Sequence, residues 1–192
     1  MESKQLVFDR KIFTVGTLFK DLGFLIGHAP KMVRMMRSDA ISHQFMEKIM
    51  TVVTAVNGCS FCTWFHAKQA VASGISEAEL QNMFNLQFQA DASEDELTAL
   101  LYAQHYAETN RHPDPEMTEK LVSDYGEEKA EQVMLVIRMI FFGNLAGNTF
   151  DAFLSRFKGY KVPNSSLIFE FFFFIFSAPF LAPVISKTKA YR

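Results

Sequence analysis

Apolar side chains recur three and four positions apart through most of this sequence, while strict alternation is rare. The first spacing is that of a helix with one buried stripe and the second that of a half-buried strand, so the pattern predicts an all-α chain. The stripe is plainest in Ile41, Phe45, Ile49, Val52 and Val56, and Asn57-Gly58 supplies its stop. A second helix is expected from Cys59 to about Ser73, closed by Gly74. Ser76 with Glu79, and Ser93 with Glu96, read as capping boxes opening a third helix toward Phe88 and a fourth toward Thr109. His112-Pro113-Asp114-Pro115 breaks the chain, and Asp114 with Pro115 starts a short fifth helix that ends at Gly126. From Glu127 to about Arg156 the apolar pattern is long, and Gly143 and Gly147 would let a neighbouring helix approach closely. Arg138, Asn144, Asn148 and Asp151 make that stretch too polar to span lipid, which marks it as the central core helix.

A length of 192 residues suits one domain over 1–192, with the motif-bearing helices at 41–84 and an apolar extension at 160–192. Apolar residues at 49% against 21% charged exclude a disordered or collagen-like chain. A net charge of −2 offers no global positive field to a nucleic-acid backbone, so no nucleic-acid partner is expected. The charge is uneven, with three basic and fourteen acidic residues over 76–131 but seven basic and two acidic over 132–192. The acidic middle reads as a solvated outer face. Two cysteines are too few for the disulfide framework of a small secreted scaffold. The opening Met1–Arg10 lacks a basic start followed by an apolar run, so a reducing, cytoplasmic setting is expected.

The run from Leu167 to Ile185 is apolar apart from Glu170 and Ser177 and holds seven of the 21 phenylalanines. A spanning helix needs about 20 apolar residues, whereas Glu170 sits near the start and Pro179 and Pro183 interrupt the second half. The reading taken is burial between subunits of a homo-oligomer, because a chain of this size cannot hide so many rings in its own core. Docking on a membrane surface, helped by Arg156, Lys158, Lys161, Lys187, Lys189 and Arg192, is the alternative.

Chemistry concentrates in Cys59-Ser60-Phe61-Cys62-Thr63-Trp64-Phe65-His66, a Cys-x-x-Cys-x3-His pattern at a helix start. Cysteines three apart can close an intramolecular disulfide, and the partial positive charge of a helix N-terminus favours thiolate over thiol. His66 follows Cys62 by one turn, so its imidazole can exchange a proton with the sulfur. Cys59, Cys62, His66, Ala70 and Ser73 share one stripe, while Trp64, Ala67 and Val71 are expected in the core. If the preceding helix reverses at Asn57-Gly58, Glu47 lies within about one turn of the level of His66 and could orient it. His43, Glu47, Met50 and Thr54 form one stripe, with His43 read as a solvated position. A metal reading of the same residues gives zinc three ligands in Cys59, Cys62 and His66, with Glu47 or water as the fourth. A non-catalytic redox-sensing or membrane-associated module is the other alternative. His28, His105 with Glu108, and His112 are read as structural.

Glu47, Val56-Asn57-Gly58-Cys59-x-x-Cys62-x3-His66 and Gly74 together resemble the alkylhydroperoxidase-D-like branch of the carboxymuconolactone decarboxylase superfamily. The match covers about Ile41 to Phe84. The resemblance implies an all-helical bundle that assembles into homo-oligomers and a dithiol that reduces small hydroperoxides without metal or organic cofactor. It implies Cys62 as the peroxide-attacking thiol, Cys59 as the resolving thiol, and His66 with Glu47 as the proton relay. An external dithiol, a lipoyl or thioredoxin-like protein, would restore the enzyme, and general disulfide exchange is the alternative activity. The chain departs from the peroxidase members in carrying Phe61 where they place a histidine before the second cysteine. The decarboxylase branch is disfavoured, since its chemistry does not call for a redox cysteine pair.

Overall fold

A computed structural model describes residues 6–38, 40–163 and 165–189, with side chains through residue 181. Met1–Gln5 of the opening segment, Arg192, and the side chains of Lys187 and Lys189 lie outside what is described. Among the described residues the chain forms α1 (Val15–Arg37), α2 (His43–Asn57), α3 (Ser60–Ala72), α4 (Glu77–Phe84), α5 (Glu94–Glu108), α6 (Pro115–Arg156) and α7 (Leu167–Lys189). A 3-10 turn at Phe88–Ala90 precedes α5, and a β-bridge joins Val7 to Lys161. The fold is all-α, as the periodicity requires.

Local signals explain most boundaries. Ser42 caps α2 by accepting the Phe45 N–H at 3.1 Å, and Gly58, at φ +65°, ends it by donating to the Thr54 carbonyl at 2.9 Å. Ser76 caps α4 in the same way through the Glu79 N–H. Two expectations need correction. The third helix stops at Phe84 rather than Phe88, because Leu86 takes a positive φ of 58° and turns the chain. Ser93 makes no side-chain cap, and Glu96 instead accepts from Lys48 at 2.7 Å. Gly126 leaves the helical region at φ 74°, ψ 163°, so the expected stop is there, and α6 is two helical arms joined across a kink at this residue.

The third correction is an addition. α1 lies in a stretch that the patterning argument leaves without an element, because Gly16, Gly23, Gly27 and Pro30 blur its period. Thr14 and Thr17 form its capping box, and it buries Asp21, Met32 and Met35 against the bundle.

α6 runs through the middle, with α2, α5 and α7 as its main neighbours. Its buried side chains Val133, Val136, Ile137, Phe141 and Leu145 meet Ile49, Val52 and Val53 of α2 and Leu100 and Ala103 of α5 in one cluster. Each such large apolar side chain taken from water contributes about 1.5–3 kcal/mol. By length and composition α6 could cross a membrane, but its most apolar window is 67% buried inside the bundle, so it is the core helix. The described apolar stretch of α7, Leu167–Leu181, is shorter.

α7 corrects a further expectation: the helix continues through Pro179 and Pro183 to Lys189. Glu170 is fully buried and receives two hydrogen bonds from Arg156, Nε to Oε2 at 2.6 Å and Nη2 to Oε1 at 2.9 Å. The one acid of this apolar run therefore faces inward as the clamp that fixes α7 to the end of α6.

Candidate functional site

The reversal at Asn57-Gly58 lays α2 and α3 side by side, and this turn places the chemistry. Cys59 is the N-cap of α3, and its sulfur accepts the Cys62 N–H at 3.3 Å. The two sulfurs lie at disulfide distance, with Cα atoms 5.3 Å apart. Cys59 is fully buried and Cys62 is half-buried, so Cys62 is the sulfur nearer to solvent. One turn on, His66 directs Nδ1 at Glu47 Oε2 across the α2–α3 interface, 2.8 Å away. Both groups are buried, Glu47 at 5% and His66 at 9% exposure. A carboxylate bound to Nδ1 fixes the ring's orientation and leaves Nε2 as the nitrogen for proton exchange.

Glu47 also faces His43, whose Nε2 lies 3.7 Å from Oε1. The sequence reading of His43 as solvated matches its 58% side-chain exposure but misses this partnership, which the four-residue spacing on one helix could have signalled. The placement of α3 reverses another expectation. The stripe of Cys59, His66 and Ala70 is the buried one, while Val71 is 46% exposed and Trp64 half-buried, because the chemical face is the face that packs on α2 and α6.

From the other side, α6 closes the site with its backbone. A Cβ added at Gly147 would stand 2.6 Å from the Cys59 sulfur and 3.6 Å from that of Cys62. The Gly143 carbonyl lies 3.7 Å from the Cys62 sulfur. Of the two glycines read as a close-packing device, Gly147 is the one that admits the cysteine pair, since a Cβ at Gly143 would meet nothing within 4 Å.

Asparagines on the same helix pin the turn. Asn144 accepts from Asn57 at 3.2 Å and donates to Thr54 at 3.0 Å, and Asn148 donates to the carbonyls of Asn57 and Lys11 at 2.9 and 3.0 Å. Arg10 adds bonds to the Gly58 carbonyl and Ser60 hydroxyl and pairs with Asp151. Sequence reasoning noticed Asn144, Asn148 and Asp151 only as too polar for lipid. Their spacing of four and three with Gly143 and Gly147 was the available sign that they share a functional face.

The remaining histidines have local partners: His105 accepts the Asp114 N–H at 3.0 Å at the α5–α6 junction, and the His28 ring meets the Phe24 carbonyl at 2.8 Å. Among the described residues no group of three or more His, Cys, Asp or Glu side chains is arranged to hold a metal ion. Of the zinc ligand set, the structure pairs sulfur with sulfur and His66 with Glu47.

No curated protein and no solved structure matches this chain. Residues 32–105 match the model of the carboxymuconolactone decarboxylase family. That interval contains Glu47, Cys59, Cys62 and His66 and runs from the end of α1 through most of α5. Over this segment, with its helical hairpin and paired cysteines, the chain is similar to the carboxymuconolactone decarboxylase family of the alkylhydroperoxidase-D-like superfamily.

Proposed function

We propose that the protein is a thiol-dependent hydroperoxide reductase. The observation that carries this reading is a buried Glu47–His66 pair one helical turn from a cysteine couple at the N-terminus of α3. In the reduced enzyme the helix N-terminus and His66 favour the Cys62 thiolate, which attacks the outer oxygen of the hydroperoxide. The O–O bond breaks, the sulfur is oxidised by two electrons to a sulfenic acid, and the alkoxide leaves with a proton from His66. Cys59 then attacks the Cys62 sulfur, water departs, and the disulfide forms before further oxidation can occur. An external dithiol attacks the more accessible Cys62 sulfur and restores both thiols. A lipoyl or thioredoxin-like protein is the reductant of this scheme.

Homo-oligomeric assembly belongs to the same reading. It is supported by the exposed apolar side chains Val15, Phe19, Leu22, Ile26, Val33 and Met36 of α1, which follow a three-and-four spacing along a face the chain itself leaves uncovered.

Phe61 favours a second activity, disulfide exchange. It occupies the position of a proton-donating histidine and packs edge-on against Phe150, with centroids 6.3 Å apart. Dithiothreitol-coupled consumption of cumene hydroperoxide, run beside reduction of insulin disulfides, separates the two. Peroxide turnover lost in Cys62→Ser and in His66→Ala supports the peroxidase, whereas insulin reduction without peroxide turnover replaces it with exchange.

A further inference from the structure

We propose that the outer face of α7 seats the protein on an anionic phospholipid bilayer. Leu167, Ile168, Phe171, Phe172, Ile175, Phe176, Pro179 and Phe180 are exposed along this helix, and no polar side chain interrupts them. The two polar residues of the described stretch are used elsewhere. Glu170 is buried against Arg156, and the Ser177 hydroxyl donates to the Phe173 carbonyl at 2.6 Å. A helical stretch, Leu167–Leu181, that turns its one charge inward and its rings outward inverts the ordinary surface pattern. The face continues into an open groove beside Phe153 and Phe157 at the end of α6. Its lining is apolar apart from Arg156, which is bonded to Glu170, and this suits a partner that supplies no hydrogen bonds.

Charge selects among apolar partners. Lys158 and Lys161 are exposed just before α7, and the sequence places Lys187, Lys189 and Arg192 after the described face. The only acids of residues 132–192 are Asp151 and Glu170, and each is taken up in an ion pair with an arginine. An apolar strip with exposed lysines at its start, and further cations following it in the sequence, is complementary to acyl chains under anionic headgroups. It is not complementary to itself in a parallel pairing, which would set Lys158 and Lys161 of one copy against those of the other. This inference does not depend on the peroxidase reading.

Flotation of the full chain tests it, with vesicles of phosphatidylcholine containing phosphatidylserine and vesicles of phosphatidylcholine alone. The wild type is expected to float with the first and at least about tenfold less with the second. Phe172→Asp with Phe176→Asp should lower binding at least about tenfold, and so should Lys158→Glu with Lys161→Glu, with far-UV circular dichroism unchanged. The lysine pair lies outside the helix and keeps the test decisive if the aspartates unfold it. Wild type left at the bottom of both gradients overturns the proposal, as does vesicle binding indifferent to both double variants. A vesicle-independent dimer that the aspartates convert to monomer would assign the face to a second copy instead.

Discussion

α6 buries two unlike surfaces along its second arm. Toward α2 and α3 it presents glycine backbone and asparagine amides, and the contacts are hydrogen bonds to named atoms of one turn. Toward α7 it presents Phe150 and Phe153, whose rings meet Phe174 at 4.5 and 4.9 Å, and the polar contact among the described residues is the Arg156–Glu170 pair. The first surface holds the turn that carries the cysteine pair through directional hydrogen bonds. The second collects apolar area and tolerates imprecision. Substitutions on the first should therefore cost activity and on the second stability.

The largest effect is expected at the polar surface. Glu47→Gln removes the charge that orients His66 while keeping its shape, and peroxide turnover should fall about 10²–10⁴-fold with the unfolding midpoint nearly unchanged. Equal losses of stability and turnover would erase the distinction between the surfaces. Next comes Glu170→Ala, which leaves Arg156 without its buried partner. Because the arginine is 25% exposed, the cost should be about 2–4 kcal/mol in urea unfolding, with turnover per folded molecule preserved. A matched glycine pair sharpens the contrast further. Gly147→Ala should destabilise by about 1–2 kcal/mol and slow disulfide formation, since its Cβ meets the Cys59 sulfur. Gly143→Ala has no atom within 4 Å of its Cβ and should be neutral or more stable.

The smallest effect lies behind the site. Burial disfavours the charged form of Lys48, but its bonds to Glu79 and Glu96 outweigh that and raise its pKa above the ordinary 10.5. A raised folded-state value means that this contribution is fully present below 10.5 and is lost as pH climbs through the folded value. Thermal melts of the wild type should therefore show an alkaline decline that is shallower in Lys48→Met.

What was legible in the sequence follows the same division. The spacing of Glu47, Cys59, Cys62 and His66 located the dithiol region because helical period and a tight turn leave little freedom between those positions. The contact of Glu47 with His66 is the one such reasoning anticipates. Gly147 and the asparagines were not legible as site residues, because their partners lie some ninety positions away and only packing brings them together. α1 escaped because helical glycines hide the pattern that its tertiary contacts then override. Glu170 looked like a break in an apolar run, since its arginine belongs to the preceding helix.

The most direct measurement counts thiols in the reduced protein before and after one equivalent of cumene hydroperoxide, in the wild type and in Cys62→Ser. The account predicts that the wild type loses both thiols to an intramolecular disulfide and that Cys62→Ser forms none. Thiols that stay titratable in the wild type would contradict it.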